Sequence, residues 1–471
     1  MSEIKEIMQQ AKAAFEVYSK TTPVQRAQFL EKIAEQIEAK REQLTAKAHE
    51  ETHLPLPRLN NEITRTTGQL KMFAAYITEG SWVAAAIDNQ PSKPDTRKML
   101  IPVGPVVVFG ASNFPFAFST AGGDTASALA SGSTVVVKGH SAHAGTSLLV
   151  YNAIQEAIRL SGMPEHTLQH VLGPGNTTGK ELVMHPNTTG VGFTGSFNGG
   201  TALMRYAAER EKPIPVFAEM SSINPVVLLP DTLTQNGAAL AKKLAGSVTL
   251  GMGQFCTNPG LLLGIKSPAL KAFLSQLGEE VSQVTPMPML HEGIHTNYQQ
   301  GLTEMLPYVV YKGDGEPATA IATVKASEFL AVPHLREEVF GPFSLLVECA
   351  DKAELIKVLQ SISGQLTATI MGTDKDLAEH RDIISLQTSL AGRVIINEVP
   401  TGVEVNSSMV HGGPFPATSD ARFTSVGTSA IQRWVRPVCF QGFPDALLPE
   451  ELQNANPRGI WRTVNNEWKN V

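Results

Sequence analysis

From Val106 onward, short runs of β-branched residues alternate with helical stretches. "VVVF" precedes a helix near Asp124–Ala130, "STVVVK" a helix over Gly145–Leu160, "LQHVL" a helix near Thr178–Met184 and "GVGF" a helix near Asn198–Arg210, before a last run, "IPVF". The runs are continuously apolar rather than alternating, so each strand is buried on both faces. Strands of that kind separated by helices specify a doubly wound parallel sheet. A second α/β stretch begins near Pro225 and passes through "PVVLLP", "GLLLGI", "AVPHL", "SLLVEC" and "GRVIIN". Two α/β lobes with a cleft between them follow, and 471 residues suffice for both cores.

Outside the lobes, Leu30, Ile33, Ile37 and Leu44 recur at helical spacing and predict one long amphipathic surface helix over Pro23–His49. The polar segment 86–99, "AIDNQPSKPDTRKM", reads as a projecting hairpin or arm. Net charge is −6 and no basic run is present, which excludes nucleic acid as an expected partner. No apolar stretch approaches the roughly 20 residues that span a bilayer. The three cysteines, Cys256, Cys349 and Cys439, form no CxxC pair, so neither a metal site nor a disulfide framework is expected. A reducing, cytoplasmic location fits, and thiol chemistry falls to one cysteine.

Cys256 lies in "GSVTLGMGQFCTNPG", among glycines and polar residues that suit a backbone approached by substrate better than a packed core. A nucleophilic cysteine needs a base and a donor for the oxyanion. Glu219, in "VFAEMSS", follows a buried strand, which puts its carboxylate at the crevice mouth; the Asn113 amide in "GASNFP" can donate to an alkoxide or simply form a turn. The first strand-to-helix turn lacks the GxGxxG fingerprint, whereas "GPGNTTGK" and "FTGSFNGG" offer free N–H groups at helix starts, suited to a diphosphate. Lys138, ending "VVVK", points at the crevice where open parallel sheets bind ligands.

The ordered motifs "SNFPF", "VVVK", "GFTGS", "FAEMSS", "GQFCTNPG" and "EEVFGPF" make the chain resemble the NAD(P)-dependent aldehyde dehydrogenase superfamily over nearly its whole length. Two longer stretches, around "GASNFPFAFSTAGGD" and "PTGVEVNSSMVHGGPFPATS", resemble its α-ketoglutaric semialdehyde (2,5-dioxovalerate) dehydrogenase branch. The resemblance implies a Rossmann-like cofactor domain over 1–220 with an arm near 82–102, an α/β catalytic domain over 221–410, and a C-terminal segment, 411–471, returning to the cofactor domain and a small oligomerisation arm. It implies Cys256 as nucleophile, Asn113 as oxyanion donor, Glu219 as base, and Lys138, Gly195, Ser196 and Glu338 as cofactor contacts. NAD-preferring members often carry glutamate where this chain has Ser141, so NADP is the expected cofactor, with NAD the alternative.

The implied reaction converts an aldehyde to a carboxylic acid through a thiohemiacetal and a thioester. The substrate implied is 2,5-dioxopentanoate; a medium or long-chain fatty aldehyde is the alternative, followed by a coenzyme A-dependent variant and a catalytically inactive nucleotide-binding scaffold. His411, in "MVHGGPFPATS", either relays a proton or serves as a structural hydrogen-bonder. Phe114 and Phe116 are expected to line the aldehyde tunnel, and Arg422 to meet a distal carboxylate. Trp461 and Trp468 in the polar tail, with the arm, suggest pairing edges and a homodimer or homotetramer.

Overall fold

The computed structural model describes residues 3–470 and contains three sheets. The first is parallel throughout, in the spatial order Leu168–Val171, Val135–Lys138, Val106–Phe109, Gly190–Thr194 and Val216–Glu219. Val106–Phe109, Val135–Lys138 and Val216–Glu219 are buried along their length, as continuous apolar runs require. The chain builds outward from Val106–Phe109 to one edge, then returns to build the other. The C-terminal ends of Val106–Phe109 and Gly190–Thr194 therefore flank a switch point, the place where such sheets leave a crevice.

The second sheet has seven strands, six of them parallel, with Val309–Lys312 antiparallel at one edge. The third joins the 86–99 hairpin to the tail: Ala86–Asp88 pairs with Thr96–Pro102 on one side and Arg462–Val464 on the other, and Val435–Gln441 and Glu467–Lys469 form the edges.

Two expectations need correction. The helix predicted over Pro23–His49 breaks at Lys40 into Pro23–Ala39 and Arg41–Thr52. The break lets the Arg41 guanidinium grip Glu38 at 2.8 and 2.9 Å and reach Asn60 O at 2.8 Å. Nor is it a simple surface helix, since Phe29, Leu30 and Ile33 are fully buried in the main core. "AVPHL" is no strand: Pro333 starts a 3₁₀ turn after the helix Ala326–Ala331, and the strand is the preceding Ala320–Lys325.

The strand Val216–Glu219 ends the first sheet, yet its outer edge is not bare. Ser419 N donates to Ala218 O at 2.9 Å, Met220 N donates to Ala417 O at 2.7 Å, and Glu219 forms a bridge with Thr418. A segment nearly 200 residues away in sequence thus covers the edge and brings its own side chains to the strand end.

Candidate active site

A cavity of about 890 Å³ runs from the switch point to the second lobe, lined among others by Gly110, Lys138, Gly195, Glu219, Cys256 and Glu338. Cys256 enters it from a loop of unusual backbone. Gly251, Met252 and Gly253 are all left-handed, with φ of 54°, 56° and 65°. At Gly253 a Cβ would come within 2.1 Å of Gly341 O, so only glycine passes there. Strain of this kind persists where surrounding bonds over-determine it. Asn224 supplies them: its Nδ2 donates to Cys256 O and Asn258 O, each at 2.9 Å. Asn224 is itself left-handed, and Gln365 Oε1 fixes it by accepting the N–H of Ile223 at 2.8 Å and of Asn224 at 3.0 Å.

Three side chains from distant parts of the chain converge on the sulfur. His411 Nε2 lies 3.5 Å from Cys256 Sγ and 2.9 Å from Glu219 Oε1, and donor atoms of all three residues lie within 4.8 Å of one another. Ser425 Oγ donates to Glu219 Oε2 at 3.0 Å. The His411–Oε1 approach lacks hydrogen-bond alignment, leaving Oε1 without a well-formed donor among the described residues. Glu219 and His411 are almost wholly buried, while Cys256 is half-buried.

Burial alone would push Glu219 up, but the neighbouring His411, the Ser425 hydroxyl and the Cys256 thiol bring the carboxyl below its ordinary range. Burial pushes the Cys256 thiol well above its ordinary value, and the Glu219 charge adds to the shift. The resting site therefore pairs a carboxylate with a protonated thiol. Asn113, buried, donates from Nδ2 to Gln254 O at 3.2 Å, which turns its amide toward the Cys256 loop.

Lys138, Ser141, Gly195, Ser196 and Glu338 all line the cavity. Lys138 is buried, which lowers its pKa, and it makes no salt bridge among the described residues. Ser196 caps the helix Phe197–Ala208 by accepting from Gly199 N, leaving other first-turn N–H groups facing the cavity side. Burial raises Glu338 to about 7, against hydrogen bonds from Ser221 and the Ser222 backbone.

Two expected residues are not brought here. Arg422 is exposed and held by Asp420 through Nε at 2.9 Å, so its charge is already answered in solvent. Phe116 is a core side chain, 1% exposed. Phe118 lies nearer the site, its ring 5.4 Å from Phe114 and 6.1 Å from His411, although neither Phe114 nor Phe118 lines the cavity. Sequence reasoning also missed Asn224 and Ser425; an asparagine directly before Pro225, where left-handed backbone is tolerated, was the available signal for the former.

The profile described as the aldehyde dehydrogenase family matches residues 1–300. The chain is 49% identical over 469 residues to α-ketoglutaric semialdehyde dehydrogenase 2 of Azospirillum brasilense, covering 96% of this chain and 89% of that one. It is 46% identical over 481 residues to α-ketoglutaric semialdehyde dehydrogenase of Acinetobacter baylyi, covering 99% and 91%. In fold it is similar to the glyceraldehyde-3-phosphate dehydrogenase GapN of Methanocaldococcus jannaschii, solved with NADP, at a TM-score of 0.80, 20% identity and coverage of 93% and 94%.

Proposed function

Since the chain belongs to the aldehyde dehydrogenase family, we propose that its cavity oxidises 2,5-dioxopentanoate to 2-oxoglutarate, with Cys256 as nucleophile. The observation that carries the reading is the convergence of Asn113, Glu219, Cys256 and His411 at one end of a dinucleotide-sized cavity. The intact set argues against a catalytically inactive scaffold, and the names of the two close relatives favour the keto acid over a fatty aldehyde.

The family uses NAD or NADP, and the residues present suit a dinucleotide. Glycine-lined turns admit a diphosphate, the helix Phe197–Ala208 offers N–H groups, and Lys138 is a buried cation with no carboxylate of its own. Lys138 and Ser141 would hold the adenosine ribose, and Glu338 the nicotinamide ribose. When bound, the dinucleotide supplies the hydride acceptor.

His411, in contact with the sulfur, takes the thiol proton as the sulfur adds to the aldehyde carbon. The Asn113 amide and the Cys256 N–H then face the resulting alkoxide. After oxidation to the thioester, Glu219 draws a proton from water, whose oxygen attacks the acyl carbon and frees the acid and the thiol.

His411→Ala is expected to lower kcat about 10²-fold, as steady-state rates would show. A variant with wild-type kcat would reduce His411 to a structural hydrogen-bonder. Ser141→Glu is expected to raise KM for NADP about 100-fold through like-charge repulsion, with far less effect on NAD. Equal effects on the two cofactors would move the 2′-phosphate elsewhere.

The substrate reading is tested by comparing kcat/KM for 2,5-dioxopentanoate and dodecanal with each cofactor. Preference for dodecanal overturns it. The three free thiols support a reducing, cytoplasmic setting, and no helix is long and apolar enough to cross a membrane. A homo-oligomer is supported by the open edges of the third sheet and by Trp461 and Trp468, stacked at 6.0 Å while 42% and 59% exposed. The separate sheets support cofactor and catalytic domains dividing near residue 220.

A further inference from the structure

The helix Leu56–Glu79 carries three ionisable residues on one face: Arg58, Glu62 and Arg65. Arg58 donates from Nη2 to Asn113 O at 2.9 Å, and its guanidinium carbon lies 5.2 Å from the centre of the Phe114 ring and 4.8 Å from that of Phe255. Phe114 and Phe255 directly adjoin Asn113 and Cys256 in the chain. Arg65 lies 5.2 Å from the centre of Phe118, the ring that leans on His411, and donates from Nη2 to Val403 O at 3.4 Å. Cys256, Glu404 and Glu219 all act on the Arg65 charge. None of Arg58, Arg65, Phe118 and Phe255 lines the large cavity, so they lie outside the dinucleotide's space.

These two cations lack an adequate counter-charge. In each, Nη1 is buried with no hydrogen-bond partner among the described residues, and neither makes a salt bridge there. Glu62 is the nearest candidate, but its Oε1 is occupied by the N–H groups of Phe116 and Ala117 at 2.8 and 2.9 Å. Glu62 thus serves two guanidiniums, and Glu404 and Glu219 act on Arg65 only from beyond salt-bridge distance. Both side chains are partly buried, and a buried N–H group of a cation left without a partner costs stability that a bound anion recovers. Arg393 shows the contrast: both of its Nη atoms are taken by the carbonyls of Pro400 and Gly402.

We propose that Arg58 and Arg65 form an anion subsite that receives the carboxylate of the aldehyde substrate beside Cys256. The inference rests on the proposed keto-acid reading and names the residues that select for it. Guanidinium N–H groups match a carboxylate in geometry as well as charge. In 2,5-dioxopentanoate the carboxylate stands four carbon–carbon bonds from the aldehyde carbon, so one end can meet the arginines while the other meets the sulfur. An uncharged alkyl tail would leave both cations dry and unpaired.

The test measures, in Arg58→Met and Arg65→Met, the ratio of kcat/KM for 2,5-dioxopentanoate to that for pentanal, and inhibition of pentanal oxidation by 2-oxoglutarate. The ratio is expected to fall about 100-fold in each variant, mainly through KM, and the inhibition constant to rise at least about 10-fold. Arg58→Lys and Arg65→Lys keep the charge, are expected to recover part of both effects, and serve if a methionine variant fails to fold. Equal losses on both aldehydes with unchanged inhibition would make the arginines structural and overturn the subsite. A preference for 2,5-dioxopentanoate that survives every replacement would overturn the subsite and leave the substrate reading standing. Arginine-dependent inhibition in an enzyme that does not use 2,5-dioxopentanoate would uphold the subsite and transfer it to another aldehyde bearing a carboxylate.

Discussion

Cys256→Ser is expected to lower aldehyde-dependent formation of reduced nicotinamide by about 10⁴-fold or more, with the thermal midpoint almost unchanged. The loss is large because nothing nearby replaces the thiol. A serine hydroxyl is far harder to deprotonate, and the site is already unfriendly to anions, since burial and the Glu219 carboxylate together hold even the thiol protonated. The fold should not notice. The loop is held by Asn224 through the backbone oxygens of Cys256 and Asn258, which the substitution leaves in place. Steady-state rates with a melting curve decide the matter: turnover within 10-fold of wild type in a folded Cys256→Ser protein removes the proposed mechanism.

Glu219→Gln should separate the two halves of the reaction. Acylation needs the sulfur and the oxyanion donors, whereas hydrolysis needs a base, so the variant should give a burst of about one reduced nicotinamide per subunit followed by turnover slowed about 10³-fold. A second consequence has the opposite sign. The negative charge of Glu219 raises the thiol pKa, so neutralising it shifts the thiol back down. Iodoacetamide at pH 7.5 should then alkylate Cys256 faster in Glu219→Gln than in the wild type, whose alkylation should still be climbing above pH 9. Slower alkylation would instead make Glu219 the base that activates the thiol. Loss of the burst would place it before the thioester.

The parts of this site legible in the sequence are those set by local structure. Cys256 stood out by its glycine-rich surroundings, while Glu219 and Lys138 stood out because each ends a short buried strand whose length and direction fix where the side chain emerges. What escaped was decided by long-range approach. Arg58 meets Asn113 across 55 residues of chain, and within its helix it looks like any other charged position. Arg422 failed as a substrate contact because Asp420, two residues away, already answers its charge. Phe116 and Phe118 are indistinguishable by type, and only the turn that buries one leaves the other beside His411. "AVPHL" misled because an apolar composition outweighed the proline inside it.

The segment from His411 to Ser425 reaches Glu219 and Cys256 and closes the edge of the strand that ends in Glu219. During synthesis, Glu219 and Cys256 are therefore made long before the residues that complete their surroundings. A ribosome must translate the first 410 residues before either acquires them. Chains that stop short of His411 lack these contacts, so turnover is expected only from molecules synthesised through Ser425.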